Sequence, residues 1–243
     1  MLNSHIKSLD GMFDDPKIQI VKFSNVKGFL VYTHESAIMI DTGHSKTTNQ
    51  IEAAFKTVNL DISKLKIIIL THTHFDHAGG ANALKRLSGA KLAVHKNEAD
   101  NLRKGFTPFP RGTRWKARLL VSIGSVFARK MAWYPEAEPD ILIDESLDLH
   151  SFGIPGEVIH TPGHTLGSVS IFLDNGIVFG GDNVMGISNK VHYPPFANDP
   201  AQVIKVWEFY IRKGIKGVYP AHGEFVPIEV IKAELEEARL KHA

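Results

Sequence analysis

Apolar residues alternate or cluster along the chain in short bursts that switch between strand and helix periodicity. Lys17 to Phe23, Gly28 to Thr33 and Ser36 to Asp41 are rich in Ile, Val, Phe and Tyr and are separated by turn residues, which predicts a three-stranded meander. From Thr47 to Val58, Ile51, Ala54, Phe55 and Val58 share one helical face, and the apolar run Ile67 to Leu70 reads as a buried strand. Helix and strand then alternate: helix over Ala78 to Leu87, strand over Lys91 to Val94, helix over Lys96 to Lys104. A second group follows, with strands at Glu157 to His160, Ser168 to Leu173 and Ile177 to Phe179 and a helix from Pro200 to Arg212. A strand at Gly217 to Tyr219 and a helix from Pro227 to about Leu240 close the chain. Strands precede helices twice over, so the expected architecture is two βα halves packed sheet against sheet with helices outside.

Residues 101–135 interrupt this rhythm. They hold eight basic residues (Arg103, Lys104, Arg111, Arg114, Lys116, Arg118, Arg129 and Lys130) and no acidic one. Trp115, Leu119, Ile123, Phe127 and Tyr134 recur at helical spacing, which predicts a basic amphipathic helix over Thr113 to Tyr134, an insertion or lid. Its apolar face would bury against the core, roof a cleft or dock on a membrane surface.

Composition narrows the chemistry. A chain of 243 residues with 43% hydrophobic and 22% charged residues is that of one ordinary globular domain, 1–243. The formal net charge of +2 gives no global attraction to nucleic acid, and none is expected as a partner. No apolar run approaches the ~18 residues of a membrane span, and residues 1–11 lack a secretory pattern, so a cytoplasmic location is expected. Cysteine is absent, which excludes thiolate ligands, disulfides and a cysteine nucleophile.

Histidine and carboxylate remain as ligands. In Thr71-His72-Thr73-His74-Phe75-Asp76-His77 four donors fall within six residues, directly after a buried strand. Extended backbone would put His72, His74 and Asp76 on one side, with His77 swinging in at the turn before Gly79 and Gly80. Two ions need further donors, and His164, Asp182 and His222 each stand beside a glycine at or after the end of a strand-like run.

With these positions in order the chain resembles the metallo-β-lactamase superfamily over nearly its whole length, residues 101–135 excepted. The resemblance implies an αββα sandwich, an α/β (α+β) fold with a dinuclear site at one edge. It implies that His72, His74 and His164 form one metal site, that Asp76, His77 and His222 form the other, and that Asp182 bridges them. Asp41, in Ile38-Met39-Ile40-Asp41-Thr42-Gly43, matches a strand-end Asp that supports a ligand without binding metal.

Two divalent ions are therefore expected: zinc, with iron or manganese as alternatives. The reaction expected is attack of a metal-bridging hydroxide on an ester, thioester or lactone carbonyl of a small molecule, with Asp76 and Asp182 as the catalytic carboxylates. The absence of cysteine and the presence of Asp182 turn the resemblance away from antibiotic hydrolysis and toward glyoxalase-II-like thioesterases, lactonases and phosphodiesterases. The lactonases usually carry a tyrosine three residues after the bridging Asp, where this chain has Met185. Alternatives are a phosphodiesterase-type hydrolase, an iron-dependent oxidoreductase of the same fold, and, least favoured, a non-catalytic metal-binding module. Substrate contacts are expected from the 186–198 loop, at Lys190, His192 and Tyr193, with His44 as a further cleft candidate.

Overall fold

The computed structural model describes residues 15–110, 112–113, 132–188 and 191–242. The predicted helix at Thr113 to Tyr134 and the candidate Lys190 lie outside these residues, apart from the two ends of the former. Those ends are not helical: the Thr113 amide donates to the Pro195 carbonyl at 2.8 Å, and Trp133 forms a β-bridge with Phe106.

Two six-stranded sheets face each other. The first runs β1 (Lys17–Phe23), β2 (Val26–Tyr32), β3 (Ala37–Ile40), β4 (Leu65–Ile69), β5 (Lys91–His95) and β6 (Ile141–Ile143), in that spatial order. The second comprises β7 (Ser146–Asp148), β8 (Gly156–His160), β9 (Val169–Leu173), β10 (Ile177–Gly181), β11 (Gly217–Pro220) and β12 (Val226–Pro227), again in sequence order across the sheet. The meander β1–β2–β3 is antiparallel, whereas β3 to β6 run parallel. In the second sheet only the β10–β11 pair is parallel.

Strand side chains alternate between two buried layers, which is why these strands read as apolar runs. Ile38 and Ile40 of β3 and Ile67 and Ile69 of β4 meet Val158, Ile171 and Phe179 between the sheets. Met39 and Ile68, one residue out of step, face the helical layer formed by α1 (Thr48–Thr57), α3 (Ala81–Ser88) and α4 (Ala99–Lys104); the four-residue α2 (Phe75–Ala78) lies between α1 and α3 in the chain. On the other flank Trp207 and Tyr210 of α5 (Pro200–Lys213) and Ile231 and Leu235 of α6 (Ile228–His242) cover Phe172, Val178 and Val218. The order of layers is helix, sheet, sheet, helix, as expected.

The helix predicted over Ala78 to Leu87 is instead two. α2 begins upstream, inside the donor-rich motif, and α3 starts at Ala81. Between them the chain presses on the loop after β3: a Cβ on Gly79 would lie 2.5 Å from the Ser45 nitrogen, and one on Gly80 would lie 2.6 Å from the Thr42 carbonyl oxygen. The strands β6, β7 and β12 were not predicted. Each has two or three residues, too few to show a period.

Candidate metal centre

β4 delivers the donor-rich loop to one edge of the sandwich, and β8, β10 and β11 deliver the rest to the same edge. Asp41, at the end of β3, adopts φ 54°, which turns its carboxylate back under the loop. There Oδ1 accepts the Thr71 amide at 2.8 Å, and Oδ2 accepts Thr71 Oγ1 at 2.7 Å and His77 Nδ1–H at 2.8 Å. One buried carboxylate thus fixes both ends of the motif.

The imidazoles are oriented from behind. His164 Nδ1 donates to the Phe196 carbonyl at 2.9 Å and His222 Nδ1 to the Asn25 carbonyl at 2.8 Å. Thr71 Oγ1 gives its proton to Asp41 and so accepts from His72 Nδ1, 3.1 Å away. With His77 held likewise by Asp41, four rings turn Nε2 inward. His74 differs by presenting Nδ1, which lies 2.9 Å from His72 Nε2 and 3.1 Å from His164 Nε2.

Two sets of donors result, His72 with His74 and His164, and Asp76 with His77 and His222. A third set, His72, His77 and Asp182, overlaps both. Asp182 Oδ2 stands 3.5 Å from His164 Nε2 and 3.7 Å from His222 Nε2, between the two clusters. Asp182 Oδ1 is 3.5 Å from His77 Nε2, and Asp76 Oδ2 is 3.4 Å from His222 Nε2.

The donors fit divalent cations. His77 Nε2 and Asp182 Oδ1 are buried without a hydrogen-bond partner, a costly arrangement that a cation relieves. Burial first, and then the neighbouring histidines, hold His72 well below its usual range and push His74 down to about 3. Burial also lowers His164. These three rings are therefore neutral and offer lone pairs. Burial would raise Asp76 and Asp182, but the surrounding histidines outweigh it and both carboxyls are lowered. His77 is raised to about 10: burial opposes its charge, yet the Asp41, Asp182 and Asp76 carboxylates prevail. The same contest, against Asp182 and Asp76, raises His222. Three neutral imidazoles on one side, a set that includes Asp76 on the other and Asp182 between them are donors that suit hard or borderline divalent cations.

All seven predicted donors and Asp41 are brought together. Of the expected substrate contacts, Lys190 lies outside the described residues, and His192 and Tyr193 are held elsewhere. Tyr193 is a core residue: its hydroxyl donates to the Pro200 carbonyl at 2.6 Å and its ring meets Trp207 at 5.6 Å, edge to face. His192 is tethered to α6, with Nδ1 2.5 Å from Glu234 Oε1 and its amide donating to Glu234 Oε2 at 2.9 Å. His44 stays near the loop, its ring 5.3 Å from Phe75, but belongs to none of the donor sets. Sequence reasoning missed Glu98 and Asn183, both of which hold ligand-bearing segments. Asn183 Oδ1 accepts the His164 amide at 3.1 Å while its Nδ2 donates to the Thr161 carbonyl at 2.7 Å. Its position next to Asp182 was the available signal.

The metallo-β-lactamase superfamily model matches residues 22–228, and the chain belongs to that superfamily, whose members are largely metal-dependent hydrolases. It is similar to "Probable metallo-hydrolase MJ0888" of Methanocaldococcus jannaschii, at 30% identity over 143 residues, 59% of this chain and 60% of that one. It is also similar to "Beta-lactamase-like protein 2 homolog" of Drosophila melanogaster, at 25% identity over 209 residues, 85% of this chain and 61% of that one. A likeness to hydroxyacylglutathione hydrolase of Pseudomonas putida, 27% identical, covers 49% of this chain and 34% of that one. The chain thus spans no more than about three fifths of the length of these curated relatives.

Among solved structures, a Cronobacter sakazakii metallo-β-lactamase superposes with a TM-score of 0.67 at 18% identity, covering 93% of this chain and 95% of that one. An archaeal superfamily protein of Sulfolobus tokodaii gives a TM-score of 0.63 at 22% identity, covering 92% and 85%. At these identities the likeness concerns the fold. Among the described residues no helix is long and apolar enough to cross a membrane.

Proposed function

We propose that this protein is a dinuclear hydrolase that cleaves an ester, thioester or lactone carbonyl in a small-molecule substrate. The observation that carries this reading is the pair of three-donor clusters with Asp182 between them. His72, His74 and His164 would hold one ion, Asp76, His77 and His222 the other, and Asp182 both. Zinc suits an all-His/Asp set, with iron and manganese as the competing metals. Such ions, when bound, supply hydroxide near neutral pH and positive charge for a developing oxyanion.

The protein's own part is orientation. The Nδ1 hydrogen bonds to Asp41, Phe196 and Asn25 lock ring tautomers, so the donors need no rearrangement as charge develops. Asp76 is ionised at neutral pH and sits 3.4 Å from His222 Nε2, which suits it to help hold the second ion and to orient a nucleophile beside it. Supporting a carbonyl substrate is the likeness to hydroxyacylglutathione hydrolases of Pseudomonas putida and Pelagibacter ubique.

The test is metal analysis of the purified protein, followed by assays of thioesters, lactones, phosphodiesters and β-lactams after reconstitution with zinc, manganese or iron. Two equivalents of metal and chelator-sensitive turnover of a carbonyl ester are expected. One iron per chain with oxygen consumption, or turnover confined to phosphodiesters, would overturn the reading.

A further inference from the structure

The donor loop alternates two residue types, and the type that binds nothing in the centre is as firmly held as the ligands. Thr71 is gripped through its amide and hydroxyl by Asp41. Thr73, between His72 and His74, is gripped in the same way by Glu98: Oε2 accepts the Thr73 amide at 3.2 Å and also the Thr73 hydroxyl. Glu98 reaches further than Asp41 does. Its other oxygen, Oε1, accepts the amide of Gly167 at 3.2 Å, in the turn that carries His164.

One carboxylate therefore joins a loop of the first sheet to a turn of the second, and all three members of the His72, His74 and His164 cluster lie on segments it ties. The contact is closely fitted. A Cβ on Gly167 would sit 2.5 Å from Glu98 Cγ, so the turn admits no side chain where the carboxylate arrives. Glu98 is 3% exposed, and among the described residues no cation pairs with it; peptide and hydroxyl donors answer it.

The grip continues outward. With its proton given to Glu98, Thr73 Oγ1 accepts from Thr107 Oγ1 at 2.9 Å, which accepts from the Tyr134 hydroxyl at 2.8 Å. Burial pushes the Tyr134 phenol up to about 12, so it remains a donor at neutral pH. Thr107 and Tyr134 stand where the chain leaves for and returns from the basic segment. Their backbones pair there, Thr107 N–H with the Ala132 carbonyl at 3.1 Å and Tyr134 N–H with the Gly105 carbonyl at 2.9 Å.

We infer that Glu98 is a positioning residue that fixes the spacing of the three-histidine cluster, and that Thr107 and Tyr134 couple the neck of the 105–134 excursion to that spacing. The inference rests on the reading of this cluster as a cation site. The second cluster is held differently, through Asp41 behind His77 and the Asn25 carbonyl behind His222. Glu98 therefore acts on one half of the centre and not on the other.

The test uses the chelator-stripped full chain, titrated with Co²⁺ and followed by visible absorption and calorimetry. His222→Ala and His164→Ala backgrounds isolate the first and second clusters respectively. Glu98→Ala is expected to weaken Co²⁺ binding about 10–100-fold in the His222→Ala background, to alter the cobalt bands there, and to leave the His164→Ala background unchanged. Glu98→Gln, which keeps one acceptor oxygen, is expected to recover part of the loss, and Tyr134→Phe to give a smaller loss in the same background. Should Glu98→Ala fail to fold, Thr73→Val, which keeps the side-chain shape and removes only the hydroxyl, carries the test with the same expected direction. Unchanged Co²⁺ affinity and bands in these variants, whatever happens to the melting temperature, overturn the inference. Absence of Co²⁺ binding by the unmodified chain would instead overturn the metal reading itself.

Discussion

Half of the metal centre is contiguous in sequence and half is dispersed, and the two halves are built by different means. His72, His74, Asp76 and His77 leave the end of β4 together, and their geometry follows from one extended loop with a four-residue helix behind it. His164, Asp182 and His222 come from three separate turns of the second sheet. Their meeting depends on strand register and on cross-ties such as the Asn198 amide to the His164 carbonyl at 3.0 Å and the Gly186 amide to the His222 carbonyl at 2.8 Å. The contiguous half is set by local backbone and two buried carboxylates, the dispersed half by the fold as a whole. Perturbing the first should change metal binding with little loss of stability, while perturbing the second should change both.

Asp182→Ala is the most severe way to break that comparison, because it removes the one dispersed donor that serves both clusters. Turnover of any working substrate should vanish and metal content should fall below two equivalents; unchanged turnover would refute the bridging assignment. Asp41→Asn strikes the contiguous half. It should weaken metal binding about 10–100-fold, as loss of a partner behind a ligand generally does, and a full two equivalents at unaltered affinity would count against the role assigned to Asp41.

Asn183→Ala sharpens the contrast, since it leaves every donor in place and cuts the ties from Asn183 to His164 and Thr161. A cost of about 1–3 kcal/mol is expected for stranding buried polar groups, a fall of ~2–4 °C in melting temperature per kcal/mol for a chain of this size. A calorimetric scan showing no shift would place the stability of this half elsewhere.

The smallest effect lies away from the centre, at the far end of the second sheet. His150 is raised above its usual value by its hydrogen bond to Asp148 at 2.7 Å, opposed by slight burial, and by Asp174 at 3.1 Å. A raised folded-state value contributes stability fully below the unfolded value near 6.5 and loses it as pH rises through the folded value. His150→Ala should therefore cost about 0.2–1 kcal/mol in urea titrations below pH 6 and nothing near pH 9, given its partial exposure. The opposite pH dependence would contradict the assignment.

The legibility of the molecule in its sequence divides along the same line. Long strands such as β2 and β9 were readable because their apolar runs are buried on both faces, and α5 because Val203, Trp207 and Tyr210 repeat at helical spacing. The seven donors were readable because four of them crowd into His72 to His77 directly after a buried strand, and the other three complete in order the pattern of the family the chain resembles. Glu98 was not: a glutamate just ahead of α4 has the pattern of a solvated helix start, and only the folded chain shows Gly167 arriving beside it. Tyr193 was misread for the converse reason. A polar-tipped aromatic in a loop suggests a substrate contact, yet its hydroxyl is satisfied by a local carbonyl and its ring completes the layer around Trp207. The break at Gly79 and Gly80 depends on the neighbouring loop after β3, which no window along the chain includes.

Trp207 gives the centre an intrinsic optical reporter. Its indole is fully buried and donates to the carbonyl of Asn183 at 2.8 Å, one peptide away from Asp182. Neutralising the Asp182 carboxylate changes the field along that peptide and therefore at the indole, so emission from Trp207 should follow cation loading. Trp133, 63% exposed, emits at longer wavelength and separates from it, while Trp115 lies outside the described residues. Loading of the centre can then be timed by stopped-flow fluorescence with no substrate present.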